Sequence, residues 1–272
     1  MRQIPDDNLK YPVLVRTLIK NDKGEDITHL MGSGVFFLSD KSFYFATAKH
    51  VLYNEKGLLN YSIISLTYYG KNTDLANEME LNLLNLEKEH LILVHKSADV
   101  VIIKIGKDEK APQSKEGHMD FSSTAIQMKI ENGSMVCVVG TKQFKEVMIA
   151  NDIFLLGYPS SLKSNGEIDV LRPLLRKGIV AGKNKLKKTI IIDSPVYQGN
   201  SGGPVFEKEN TDSGFEIRLI GLVTQMVPFL EITETTSLHY QYKYKNISWE
   251  NSGYAVVVPV DFIFELIKED QN

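Results

Sequence analysis

Apolar and polar positions alternate along most of the chain in short runs rich in Val, Ile, Phe and Tyr, with Gly, Asn, Asp and Pro falling between the runs. "YPVLVRTLI", "GVFFL", "FYFATA", "YSIISLTYY", "LILVH", "DVVIIKI", "MVCVVG", "DIFLLGY", "KTIIID", "IRLIGLVTQM" and "YAVVVPV" each read as a strand. Strands in that number and at that spacing predict an all-β sandwich or barrel. Turn signals sit where hairpins need them, at "NDKG" (21–24) and "LSDKS" (38–42). A helix is expected at the end, where Asp261 can cap and Phe262, Ile263, Leu266 and Ile267 recur at helical spacing. "DLANEMELNLLNLEKE" (74–89) fits either a helix or a long decorated loop. The polar segment 106–134, with Pro112, Gly117 and Gly133, is the natural linker between two halves, expected as domains 1–125 and 126–272. No internal repeat or low-complexity tract stands out.

With 272 residues, the chain has room for one large domain or two small ones. Its 43% hydrophobic and 24% charged residues are those of an ordinary globular protein. A net charge of −3 argues against a nucleic-acid partner chosen by bulk electrostatics. The dense basic run "KNKLKK" (183–188) reads as a solvated hairpin tip. The N-terminus lacks an apolar leader core and no apolar stretch reaches membrane length, so neither a secretory leader nor a membrane partner is expected. The single cysteine, Cys137, can form no internal disulfide, which suits a reducing, cytoplasmic compartment. Its setting "SMVCVVG" marks it as a small buried hydrophobe. The six histidines lack the spacing of a zinc site, so no metal or other cofactor is expected.

The segment with most chemistry is "QGNSGGPV" (198–205). A serine that attacks an acyl carbon needs a base within reach, a carboxylate that fixes the base's tautomer, and donors aimed at the developing oxyanion. Without a Cβ, Gly199 can take a strained turn that points its own N–H and that of Ser201 into one concavity, while Gly202 and Gly203 permit close approach of a substrate backbone. The same residues would also make a plain Gly-rich turn. His50 stands where a strand ends, in "FYFATAKHVL", and Asp99 precedes an apolar strand in "HKSADVVIIKI", as an edge cap or as a partner for an imidazole.

Taken in order, "GSGVFFLSDKSFYFATAKHVL" (32–52), "ADVVIIKI" (98–105), "LGYPSS" (156–161), "GIVAG" (178–182), "IIDSPVYQGNSGGPVF" (191–206), "LIGLVTQ" (219–225) and "GYAVVVPVDFI" (253–263) resemble the trypsin-like serine peptidases, most of all their disulfide-free HtrA/DegP-type branch. The resemblance covers nearly the whole chain from residue 13. It implies two six-stranded antiparallel β-barrels with the active site in the cleft between them, a short C-terminal helix, and a polypeptide substrate. It also implies catalytic roles for His50 as base, Asp99 as orienting acid and Ser201 as nucleophile, with the N–H groups of Gly199 and Ser201 as oxyanion hole. Asn200 stands where members activated by cleavage carry an aspartate, and no Ile-Val-Gly-Gly start is present, so zymogen cleavage is not expected; Val51 stands where secreted members carry a disulfide cysteine, which suits an intracellular enzyme. No PDZ domain is expected after "VPVDFI". Regulation by ordering of the serine loop, with an activating partner or ligand, is the expectation in place of cleavage.

The resemblance also assigns the specificity pocket. Its floor is expected near Pro195 and its wall at Thr224, Gln225 and Met226, and with no carboxylate at the floor it should take a small or medium apolar side chain. Asp193 is expected to be structural. The aromatic-rich insertion 228–251 is expected to cover or gate the pocket. Two other readings stand beside this one. A catalytically silent module of the same fold could bind peptide in the cleft. "GNSGG" also satisfies the nucleophile elbow of α/β-hydrolases, which requires a helix after the serine and the order Ser, Asp, His.

Overall fold

The computed structural model describes residues 10–70, 75–107, 120–131, 140–162, 166–212, 214–236 and 243–271. The strand expected around Cys137, and Pro112, Gly117 and Gly133 of the expected linker, lie outside them.

The first half is one antiparallel sheet of nine strands: β1 (Pro12–Lys20), β2 (Asp26–Ser39), β3 (Ser42–Thr47), β4 (Ile63–Tyr69), β5 (Ala76–Asn82), β6 (Ile92–Val94), β7 (Val101–Lys107), β8 (Asp120–Phe121) and β9 (Ile126–Ile130). Their order across the sheet is β6-β7-β3-β2-β1-β4-β5-β9, with β8 added on β7. Six strands closed into a barrel were expected here; among the described residues β6 and β9 form the two ends and do not pair. β9 pairs with β5 through Leu81 and Ile126, so the first sheet runs past the expected boundary at 125/126. Two short helices interrupt it, α1 (Lys49–Leu52) and α2 (Leu83–Lys88). The ambiguous stretch 74–89 is therefore both a strand and a helix. Asn77, Met79 and Leu81 point inward at strand period, and Asn82 then caps α2 by accepting from the Asn85 N–H at 3.2 Å.

The second half closes as expected. β10 (Asp152–Gly157), β11 (Leu174–Asn184), β12 (Thr189–Asp193), β13 (Pro204–Thr211), β14 (Gly214–Thr236) and β15 (Lys243–Pro259) form a six-stranded barrel in the order β10-β11-β12-β15-β14-β13, and α3 (Val260–Gln271) follows. The basic run does occupy the β11–β12 turn. β14 and β15 stay paired out to Thr236 and Lys243, so residues 228–236 and 243–251 of the insertion form a two-stranded extension of the barrel. Leu230 opposite Trp249 and Ile232 opposite Ile247 share one exposed face of that arm.

Three apolar clusters hold the molecule. One fills the first sheet around Phe36, Phe45, Leu66 and Ile103, and another fills the barrel around Ile153, Ile192 and Val257. The third lies between them, where Phe37, Tyr44 and Ile102 of the first sheet meet Phe206 and Leu222 of the barrel and Ile263, Leu266 and Ile267 of α3. Each such buried side chain is worth about 1.5–3 kcal/mol. The end of α3 is also tied to the first sheet, where Tyr44 Oη and Lys104 Nζ donate to Asp270 at 2.7 and 2.6 Å. α3 therefore fixes the two halves against each other, and the residues that meet at their junction come from both.

Candidate active site

β3 ends at Thr47, and the single turn of α1 that follows carries His50, half exposed, at the junction. Asn60 Nδ2 donates to the carbonyls of His50 and Val51 at 3.2 and 3.3 Å and holds this turn. Asp99 lies on the segment between β6 and β7 and grips His50 twice. Its Oδ1 accepts the His50 main-chain N–H at 3.0 Å, and its Oδ2 lies 2.7 Å from ring Nδ1. A carboxylate at Nδ1 favours the tautomer with the proton there, which leaves Nε2 as the basic nitrogen.

Ser201 sits in the turn between β12 and β13. Gly199 and Gly202 have φ of +95° and +83°, the left-handed region that a side chain strains to enter. Space excludes a side chain as well. A Cβ on Gly199 would stand 2.2 Å from the Tyr158 carbonyl, and one on Gly202 would stand 2.1 Å from the Ser33 carbonyl and 2.2 Å from Thr47 Oγ1. The Gln198 carbonyl accepts from Ser160 Oγ at 3.2 Å and from the Ser161 N–H at 3.5 Å. Because a trans peptide directs its C=O and N–H oppositely, the Gly199 N–H faces away from Ser160. Neither that N–H nor the Ser201 N–H meets an acceptor among the described residues.

The serine turn is held to the first sheet through Ser33 of β2, a fully buried residue that sequence reasoning did not single out. Its N–H donates to the Ser201 carbonyl at 2.8 Å, its Oγ donates to the Gly199 carbonyl at 2.8 Å and accepts the Tyr158 N–H at 3.0 Å, and its own carbonyl accepts Thr47 Oγ1 at 2.6 Å. Burial pushes the Tyr158 phenol well above its ordinary pKa, so it stays neutral and donates to the Pro12 carbonyl at 3.3 Å. Only the motif "GSG" hinted at Ser33. Ser33→Ala leaves the Gly199 carbonyl and the Tyr158 N–H without a partner, an expected loss of about 1–3 kcal/mol. A turn set adrift is expected to lower turnover by up to about 10² as well. Urea midpoints and kcat check both, with rescue by Ser33→Thr.

The serine turn packs against the entry to α1, where a Cβ on Gly202 would meet Thr47 Oγ1 and the Ala48 nitrogen and one on Gly32 would meet both Val51 and the Ser201 carbonyl, but no hydrogen bond joins Ser201 to His50. The Ser201 hydroxyl instead lies 3.5 Å from the Thr224 carbonyl. Beside it opens a cavity of about 290 Å³ lined by Val196, Tyr197 and Gln198 on one side and Thr224, Gln225 and Met226 on the other. Thr224, Gln225 and Met226 line this cavity, whereas Pro195 does not and the near side begins at Val196. None of the described residues of 228–251 lines this cavity. β13 pairs with β14 only as far as Leu222, so from Thr224 onward that edge of β14 has no strand partner among the described residues and can accept an extended chain. The serine is followed by Gly202, Gly203 and β13, with no helix, which removes the α/β-hydrolase elbow. No group of residues suited to a metal ion occurs among those described.

Residues 32–212 match the family of trypsin-like peptidase domains. No curated protein sequence matches the chain. Among solved structures, the HtrA-type protease AlgW is similar in fold. A variant bound to a decapeptide gives a TM-score of 0.51 at 13% identity, and a form bound to a tripeptide gives 0.52 at 14%. Each alignment takes in 96% of this chain but only 63% and 60% of those proteins, so the chain spans less than two thirds of their length.

Proposed function

From the premise that the chain belongs to the trypsin-like peptidase family, we propose that it is a serine endopeptidase acting through an acyl-enzyme. The observation that carries this reading is the clamp of Asp99 on His50 beside a serine turn, packed against Ala48 and Val51, whose Gly199 and Ser201 N–H groups have no acceptor among the described residues. In this reading a polypeptide adds to the β14 edge and places a small or medium apolar side chain between Tyr197 and Met226. Ser201 Oγ leaves the Thr224 carbonyl, gives its proton to His50 Nε2 and attacks the scissile carbon. The oxyanion is received by the N–H groups of Gly199 and Ser201, and His50 returns the proton to the departing amine. Water then repeats the sequence on the acyl-enzyme. Hydrogen bonds of such sites are commonly long before substrate arrives and tighten in the complex.

The N-terminal sheet, which runs to Ile130, and the C-terminal barrel divide the work in this reading, the first supplying His50 and Asp99 and the second Ser201. Regulation, in place of cleavage, acts on the Gln198–Gly199 peptide, whose two contacts at 3.2 and 3.5 Å are long enough for a partner to tip. The single cysteine, which can form no internal disulfide, fits a cytoplasmic setting. The second reading, a silent peptide-binding module, is favoured by the resting direction of the Ser201 hydroxyl. A fluorophosphonate probe separates the two: wild type labels and Ser201→Ala does not if the nucleophile is assembled, whereas a folded wild type that stays unlabelled makes the module the better account. Full activity of the purified chain on unfolded substrate would remove the regulatory step.

A further inference from the structure

A second groove begins where the first ends. Its cavity of about 620 Å³ shares Thr224 and Gln225 with the pocket beside Ser201 and includes Ser97, Ala98 and Asp99. From there it runs to the β11–β12 turn, where Asn184, Leu186, Lys187 and Thr189 form its far lip. Ile191, Val256, Val258 and Phe262 add apolar lining. A chain paired along β14 with one side chain in the first cavity must therefore lay its neighbours in the second. At about 3.3 Å per residue, the third or fourth neighbour lies about 10–13 Å away along the chain.

The far lip is basic. Four lysines occupy 183–188. Lys183 is committed to the carbonyls of Lys145 and Val147 at 3.4 and 2.8 Å. Lys188 is committed to Asp261 and Glu265 at 3.4 and 3.1 Å, and lies over the Phe262 ring. Lys188 thus offsets one of these two carboxylates, Glu265 also meets His95 Nε2 at 3.2 Å, and Asp99 at the opposite end is engaged by His50. Lys185 and Lys187 have no ion-pair partner among the described residues. Lys187 lines the groove, whereas Lys185 lines a different cavity with Ala181, Val227 and Tyr254.

We propose that this groove binds the substrate segment upstream of the scissile bond and selects an acidic side chain at its third or fourth position, with Lys187 as the counter-charge. The proposal rests on the peptidase reading but is tested apart from it. Labelled decapeptides of one sequence, carrying Glu, Gln or Lys at either position upstream of a central apolar residue, are titrated into Ser201→Ala by fluorescence anisotropy. Their kcat/KM is then measured on wild type. An exposed pair contributes modestly, so the expected preference for Glu over Lys is about five- to tenfold at low salt. It should fade toward unity near 1 M salt, where screening acts over about 3 Å. Lys187→Glu is expected to invert the order and Lys185→Glu to leave it. Equal binding of the three peptides, or none, overturns the groove assignment. Absent probe labelling overturns the peptidase reading and leaves the binding comparison standing.

Discussion

Alanine at His50 is expected to lower kcat for peptide hydrolysis by about 10⁶-fold, close to the loss expected for Ser201→Ala, because in the proposed chemistry neither group works without the other. The double variant should then be little worse than either single one. Asp99→Asn is the sharper probe. Asp99 Oδ1 accepts the His50 N–H and Oδ2 meets Nδ1, so an amide can preserve the shape of the contact while placing an N–H against the ring nitrogen. The imidazole then holds its proton on Nε2, the wrong side for a base, and a fall of about 10⁴ in kcat is expected with little change in KM. Burst kinetics with an activated ester and thermal unfolding of each variant check this. A folded His50→Ala that retains turnover would mean that the base lies elsewhere.

Gly202→Ala is expected to damage the same site by a different route. Its φ of +83° already disfavours a side chain by about 1–2 kcal/mol, and the new methyl carbon meets the Ser33 carbonyl at 2.1 Å and Thr47 Oγ1 at 2.2 Å. The Ser33 carbonyl is backbone inside β2 and already accepts Thr47 Oγ1, so it is the turn that moves. Movement breaks the Gly202 N–H bond to the Val223 carbonyl, at 2.7 Å, and swings the neighbouring Ser201 N–H from its position. A stability loss above about 3 kcal/mol is expected, and at least about 10² in kcat from the misplaced oxyanion donor. Gly182→Ala is the control. A Cβ there meets nothing within 4 Å, so its urea midpoint and activity should match wild type.

The parts legible in the sequence were those with a strong local period or a motif. β1, β3, β7 and β12 carry uninterrupted apolar runs. The chain order of His50, Asp99 and Ser201, with the glycines around the serine, carried the resemblance to the family. β5 was missed because its inward positions include Asn77, a buried polar residue that breaks the apolar alternation. β11 was seen only as "GIVAG" because Val180 is its one buried side chain. The arm beyond Pro228 read as a covering insertion, since Glu, Thr and Tyr on strands that support only each other show no core-facing period. The site's supports were hidden for a different reason. Ser33 acts on residues 125 and 166 positions away, which no local window contains. The resting direction of the Ser201 hydroxyl and the start of the pocket at Val196 are set by the packed turn itself.

The anchoring of α3 on the first sheet has a consequence for how the molecule comes into being. Tyr44 and Asp270 are 226 positions apart, and the shared apolar layer between the halves needs Ile263, Leu266 and Ile267 in place. Chains fold from the N-terminus as they are synthesised, so His50 and Asp99 can be in position while the serine turn has yet to find its support. In the peptidase reading, the nascent chain is then expected to stay inactive until α3 has docked.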